Sequence, residues 1–262
     1  MIMLGKMGMG FGRNKSCALF LALMLLPLFA FCGQELVEYS KAAYYIAPGG
    51  LGTPNGACGY GEYGRTVNDG CVAVVSPSKL YRNGGGCGAC YQVRCKAAEC
   101  NEEGVTVVVT DRGGGPETDF VLSAPAFTKM AQPGCEKQLM VYGKVDIEYQ
   151  RVPCKYPGKT LMLKVTEQSR YNYYLSLEFL YQSGTSDITA VEIFEEEALS
   201  WRACERSYGA VWDLSNPPKG ELTARFFLAG SATVTARWVL VPRVIPALWQ
   251  PGAAYDTSII LD

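Results

Sequence analysis

A chain of 262 residues with 48 % hydrophobic and 19 % charged residues can fill one large all-β domain or two of about 100 residues, and it is too apolar to stay disordered. Its 24 Lys+Arg against 25 Asp+Glu give a net charge of −1, which leaves no basic excess for nucleic-acid phosphates or for strong attraction to an acidic polymer. It has no histidine, which removes Ser-His-Asp and Cys-His catalysis and histidine metal sites; no Walker loop or dinucleotide fingerprint is present either.

The N-terminus reads as a targeting segment. Lys6, Arg13 and Lys15 make a positive start, an apolar run follows from Cys17 to Cys32, and the small residues Ala30 and Cys32 suit a signal peptidase before Gly33. The run contains Pro27 and is shorter than the about 20 residues of a membrane span, an uncleaved anchor being the alternative. Residues 1–32 are therefore expected to be removed and the remaining chain to be secreted, without a membrane span. The loss takes away basic residues and no acidic one, so the remainder is acidic.

Eleven cysteines include Cys17 and Cys32, which leaves nine in an oxidising route where clustered cysteines read first as disulfides. Cys87-x2-Cys90 and Cys95-x4-Cys100 also admit a four-thiolate zinc site as the alternative. An odd number leaves at least one thiol unpaired, or paired with another chain.

Two halves follow. Cys58, Cys71, Cys87, Cys90, Cys95, Cys100, Cys135 and Cys154 precede residue 155 and only Cys204 follows it, whereas Trp201, Trp212, Trp238 and Trp249 all lie in the second half. In the first half, Val105–Thr110 suits a buried strand, Ser123–Met130 a short helix capped by Ser123, and Val145–Val152 a half-buried strand. Glycine-rich stretches between them favour a compact, disulfide-stapled barrel over a helical bundle. Lys155–Lys159 is a turn-prone junction too short for a flexible linker, so the halves should touch. In the second half, 161–166, 174–181, 188–194, 222–228 and 233–239 read as strands separated by turn residues, the pattern of a β-sandwich.

Without histidine, hydrolysis would need a carboxylate pair. Asp111 is the best single candidate, following the buried strand and preceding Arg112-Gly113-Gly114-Gly115-Pro116; a turn-forming or arginine-paired Asp is the plainer reading. Asp119 comes next and shares a face with Val121, about 7 Å away along an extended stretch. Aromatic rings are the usual platforms for sugars, and the second half offers Tyr171, Tyr173, Tyr174, Tyr208, Trp201 and Trp212, although most aromatics of a sandwich belong to its core.

These motifs together resemble one family. Leu51-Gly52-Thr53-Pro54-Asn55-Gly56-Ala57-Cys58-Gly59-Tyr60-Gly61, Gly86-Cys87-Gly88-Ala89-Cys90-Tyr91-Gln92-Val93-Arg94-Cys95, Asp146–Cys154, Ser207–Asp213 and Pro217-Pro218-Lys219-Gly220 resemble expansins, over essentially the whole chain after the targeting segment. Glu62–Asn68 and Tyr81-Arg82-Asn83-Gly84 look like the expansin-like B group. The resemblance implies an all-β protein: a six-stranded double-psi β-barrel over 38–154, similar to family-45 endoglucanases, the junction 155–159, and an immunoglobulin-like carbohydrate-binding β-sandwich over 160–262. It implies disulfides Cys58–Cys87, Cys90–Cys154 and Cys95–Cys100, leaving Cys71, Cys135 and Cys204 open. It places the sugar platform at Tyr174 and Tyr208, with Trp212 as the next candidate, although Trp212 leans towards the core.

Two departures bear on activity. Where the resemblance puts a His-Phe-Asp motif, this chain has Asp119-Phe120-Val121, so valine stands in place of the acid, and the family's early threonine is Ala43. Asp111 matches the retained aspartate. The expectation is a secreted, monomeric cell-wall protein that binds cellulose or hemicellulose and loosens it without hydrolysis, with no catalytic residue, metal or cofactor. The rivals are a binding protein without loosening activity and a weak endoglucanase or lytic enzyme using Asp111 with Asp119.

Overall fold

The structure, a computed structural model, describes residues 37–229 and 234–261; the expected targeting segment lies outside them. Six strands form a closed barrel: β1 (Glu38–Tyr45), β2 (Val72–Val75), β3 (Cys90–Cys95), β4 (Val105–Arg112), β5 (Thr118–Ser123) and β6 (Lys144–Val152). Their spatial order is β1-β5-β2-β4-β3-β6, with β1 returning to β6, and the β1–β5 and β2–β4 pairs are parallel. Short helices α1 (Gly61–Thr66), α2 (Ala124–Lys129) and α3 (Glu136–Val141) fill the crossovers.

Alternation along each strand sorts the barrel wall into an inner and an outer set. Phe120 and Leu122 of β5 and Ile147 and Tyr149 of β6 point inward and are almost wholly buried. Tyr91, Phe120 and Tyr149 stack edge to face at centroid distances of 4.9 to 6.0 Å, a geometry favoured by the ring quadrupoles. Ser123 caps α2 by accepting a hydrogen bond from Ala126 N, and Pro125 sits in the first turn, where its missing N–H costs nothing. The buried strand runs further than the sequence indicates, because β4 continues through Asp111 to Arg112.

The second half is a two-sheet sandwich. One sheet has the order β10-β9-β13-β14, from β9 (Ile188–Glu195), β10 (Ser200–Ala203), β13 (Leu222–Leu228) and β14 (Arg237–Ile245). The other has the order β11-β12-β8-β7-β15, from β7 (Met162–Val165), β8 (Tyr174–Leu180), β11 (Glu205–Tyr208), β12 (Val211–Ser215) and β15 (Ala254–Asp256). The strand expected over 233–239 is displaced: residues 230–233 lie outside the described residues, and β14 runs from Arg237 through Pro242 to Ile245. Proline is tolerated there because β14 is an edge strand with one side free of ladder bonds.

Disulfides join Cys58 to Cys87, Cys90 to Cys154 and Cys95 to Cys100. The zinc alternative is thereby corrected, since all four of its cysteines are bonded. Cys71 and Cys204 are buried thiols and Cys135 is half-buried. Burial pushes the Cys204 thiol up to about 12, which leaves it inert.

Barrel and sandwich meet along a packed seam. Cys154 and Gly184 exchange two backbone hydrogen bonds, Ala210 N donates to Cys58 O, and Leu180 joins the barrel core. Glu178, fully buried beside this seam, is paired with Lys164 at 2.9 Å, and burial holds its carboxyl above the usual range despite that lysine.

Candidate functional site: a groove from the barrel to the sandwich

Strand register assembles one row across the outer barrel wall. Ala43 lies opposite Val121, Val121 opposite Val74, and Val74 opposite Asp111. All four are outward members of their strands, between buried neighbours such as Ala42, Phe120 and Ala73. At about 5 Å per strand step, Val121 and Asp111 stand roughly 10 Å apart with a valine between them. The row therefore carries one carboxylate at its end and apolar surface elsewhere.

Asp111 is held by the backbone. Its Oδ1 accepts hydrogen bonds from Ala57 N and Arg112 N, each at 2.7 Å. The first requires Gly56, because a Cβ there would sit 2.5 Å from Thr110 O and would push the 53–58 loop off β4. Tyr45 faces the same region; burial, and then the Asp111 carboxylate, push its phenol up to about 12, so it is a neutral hydrogen-bonding group.

Asp119 does not join Asp111. Lys79 Nζ lies 3.0 Å from its Oδ2, Tyr149 OH donates to it at 3.4 Å, and its own N–H donates to Ser40 Oγ. Burial raises its carboxyl, but the hydrogen bond and charge of Lys79 outweigh that and hold it below the usual carboxylate range. A general acid must carry its proton at the working pH, so an ion-paired Asp119 is the wrong species for that role. The two carboxylates of the hydrolytic alternative are not brought together as an acid and a base.

Beside Ala57, whose N–H holds Asp111, a recess opens towards the sandwich, and two of its residues, Tyr81 and Asn83, stand in the sequence only as part of a subgroup motif. Tyr81 OH donates to Ala57 O at 3.1 Å, and the Arg112 guanidinium stands 5.6 Å from the Tyr81 ring centre. Tyr81, Asn83, Arg112 and Ala57 line a recess of about 320 Å³ together with Tyr208 and Gly209 of the sandwich. Tyr208 crosses the seam: it is 48 % exposed, and a Cβ on Gly59 of the barrel would come within 2.9 Å of its ring. Beyond it on the same sheet lies Tyr174, whose OH donates to Asp213 Oδ2 at 2.7 Å, next to the largely exposed Tyr173.

Trp212 is corrected. It belongs to the sandwich core, is 5 % exposed, and carries the Arg206 guanidinium 4.1 Å from its ring centre. Its register opposite the buried Leu177 turns it inward, so no ring face is left for a sugar. Trp201 lies on the other sheet, stacked with Arg225 and Phe194, away from Tyr174 and Tyr208. Among the described residues no group of three or more His, Cys, Asp or Glu side chains is placed to hold a metal ion.

Comparison with known proteins agrees with this architecture. A family model described as lytic transglycolase matches residues 73–149, and one described as the expansin C-terminal domain matches residues 161–246. Expansin-like B1 of Arabidopsis thaliana is 49 % identical over 240 residues, covering 91 % of this chain and 94 % of that protein. The apo crystal structure of the Clavibacter michiganensis expansin matches with a TM-score of 0.65 at 22 % identity, covering 86 % of this chain and 98 % of that one. A mutant of the same expansin in complex with cellohexaose matches with a TM-score of 0.63, also at 22 % identity, covering 84 % and 96 %. The bacterial structures share the fold; the plant relative is similar along nearly the whole of both proteins, and on that ground the chain belongs to the expansin family, in its expansin-like B group.

Proposed function

We propose that the protein is secreted to the cell wall and binds a neutral glucan along the groove that runs from Asp111 past Tyr81 and Arg112 to Tyr208 and Tyr174, loosening polymer contacts without cleaving them. The carrying observation is a recess lined by both barrel and sandwich residues, with the Asp111 carboxylate held beside it on the barrel and the exposed Tyr208 ring on the sandwich. Pyranose rings stack their C–H faces on tyrosine, and Asp111 and Asn83 supply hydrogen-bonding groups for hydroxyls. That a mutant bacterial expansin of the same fold is known in complex with cellohexaose supports the ligand class. Val121 in the row and the ion pair that occupies Asp119 support a reading without hydrolysis.

The test is depletion from solution by insoluble cellulose and by hemicellulose-coated cellulose, comparing wild type with Tyr174→Ala/Tyr208→Ala. Losing two stacking contacts of about 1 kcal/mol each should weaken retention at least tenfold. Unchanged retention in the double variant, or reducing sugar released by wild type and lost in Asp111→Asn, would overturn the reading. The apolar row Ala43–Val121–Val74 favours a second reading, binding without loosening, and wall-extension assays separate the two.

A further inference from the structure

We infer that a second cleft on the barrel, sharing no lining residue with the groove, binds an acidic oligosaccharide whose sugar units carry carboxylates. This proposal stands independently of the groove reading.

The cleft encloses about 420 Å³ against the outer wall of β3, β4 and β6. Register gives it two parallel rows. Val152, Cys90 and Val108 are cross-strand partners and make an apolar floor, backed by the Cys90–Cys154 disulfide. Gln92 and Thr106 make a polar row beside it, with Thr106 Oγ1 donating to Gln92 Oε1 at 2.7 Å. Asn68 closes one end: it stands at a φ of 54° and donates from Nδ2 to Thr106 O. Tyr156 and Lys155, from the junction after Cys154, also line the cleft.

The cleft runs on. Asn68, Lys155 and Tyr156 also line a second recess of about 330 Å³ that adds Tyr63, Lys159 and Tyr181. Its aromatic wall is rigid, because Tyr181 packs edge-on against both Tyr63 and Tyr156, and Tyr63 OH accepts from Tyr181 N. The two recesses form one elongated trough, a shape suited to several linked rings.

Charge decides what kind of chain. Lys155 and Lys159 have no ion-pair partner among the described residues, although the whole chain has more acidic than basic groups. Lys159 Nζ stands over the Tyr181 ring at 5.6 Å, and Asp69 is the one acidic residue of the lining. The polar row is largely satisfied by its own hydrogen bonds, so a neutral chain would find few free donors here. A uronate chain supplies what the trough lacks: C–H faces for the valine floor and the tyrosine wall, and carboxylates for two ammonium groups.

The experiment titrates the chain with an oligogalacturonate tetramer, its methyl ester, monomeric galacturonate and cellohexaose by calorimetry at low salt. The tetramer should bind. Methyl esterification, and the variant Lys155→Gln/Lys159→Gln, should each weaken it about tenfold, the loss of two exposed ion pairs. Lys155→Arg/Lys159→Arg should retain binding, Tyr174→Ala/Tyr208→Ala should leave it unchanged, and cellohexaose should not displace it. Both lysines are exposed, so the variants should fold. No binding by wild type, equal affinity in the glutamine variant, displacement by cellohexaose, or a monomer as tight as the tetramer would each overturn the inference.

Discussion

Two aspartates eight residues apart have been given opposite jobs by their surroundings. Asp111 receives two backbone N–H groups and faces the groove; Asp119 receives Lys79 and supports the barrel mouth, where Tyr149 OH reaches both Asp119 and Glu38. The Asp119 carboxyl is held below its ordinary value of 3.8, so the unfolded chain binds the proton more readily than the folded one. Its contribution to stability is therefore present above that value and is lost as pH falls through the depressed folded value. Lys79 is 42 % exposed, so solvent screens the pair and Asp119→Asn should cost about 1 kcal/mol at pH 7, a deficit that should shrink below about pH 4. Urea unfolding at the two pH values checks this. Cellulose retention should not change, because Asp119 is engaged away from the groove; a deficit that persists at low pH would mean that packing, not charge, is at stake.

At the scale of elements, the loop from Tyr81 to Gly86 couples sequence to site. Arg82, Asn83 and Gly84 all have left-handed φ, of 51°, 54° and 92°. Gly84 has no substitute: a Cβ there would lie 2.1 Å from Gly209 O, where barrel and sandwich backbones touch. Gly84→Ala should destabilise by roughly 2–4 kcal/mol through backbone strain and overpacking, and should weaken glucan binding because Asn83 moves with it. Gly115→Ala, in the open loop after β4 where nothing lies within 4 Å, should stay within about 0.5 kcal/mol of wild type. Thermal melts of the pair give the comparison. Strands with clean alternation, such as β6 and β13, and the capped helix α2 were legible in the sequence because burial imposes a period on them. The row Ala43–Val121–Val74–Asp111 was not, because pairing of strands distant in sequence fixes it, parallel at two steps and antiparallel at one, and no local pattern records which residues become opposite. The same holds for Tyr81 and Arg112, which become site residues only when Tyr208 arrives from the sandwich. Trp212 misled in the other direction, since a tryptophan in a strand reads equally as platform or core until register turns it inward.

For the whole molecule the question is what holds two halves in line, since one polymer can engage both only if their surfaces stay aligned. Asp187, in the sandwich between β8 and β9, answers most of it. Its Oδ2 accepts from Arg82 Nη2 at 2.8 Å and its Oδ1 from Arg151 Nη2 at 2.7 Å, so one carboxylate ties the groove loop and β6 to the sandwich. Burial lowers the Arg151 guanidinium, but Asp187 outweighs it and holds the charge in place. Arg206 of the sandwich adds a second tie by donating to Gly84 O of the barrel, while donations to Gly209 O and Ile188 O fix its guanidinium in place. Asp187→Asn removes the charge shared by two guanidinium groups, of which Arg151 is the more enclosed, and aims an amide N–H at one of them. The Asp187 and Arg151 side chains are half-buried and Arg82 is exposed, so the loss should cost about 1–3 kcal/mol, between an exposed and a buried pair, and the melting temperature should fall. Binding should respond selectively. A disaccharide touches only one half and should keep its affinity, whereas a glucan long enough to span the seam loses the effective concentration that a fixed second surface provides and should weaken about tenfold. Measuring both ligands at a temperature where the variant is fully folded separates alignment from stability. Equal losses for short and long ligands would make Asp187 a folding residue only, and no loss for the long ligand would mean that the two halves bind independently.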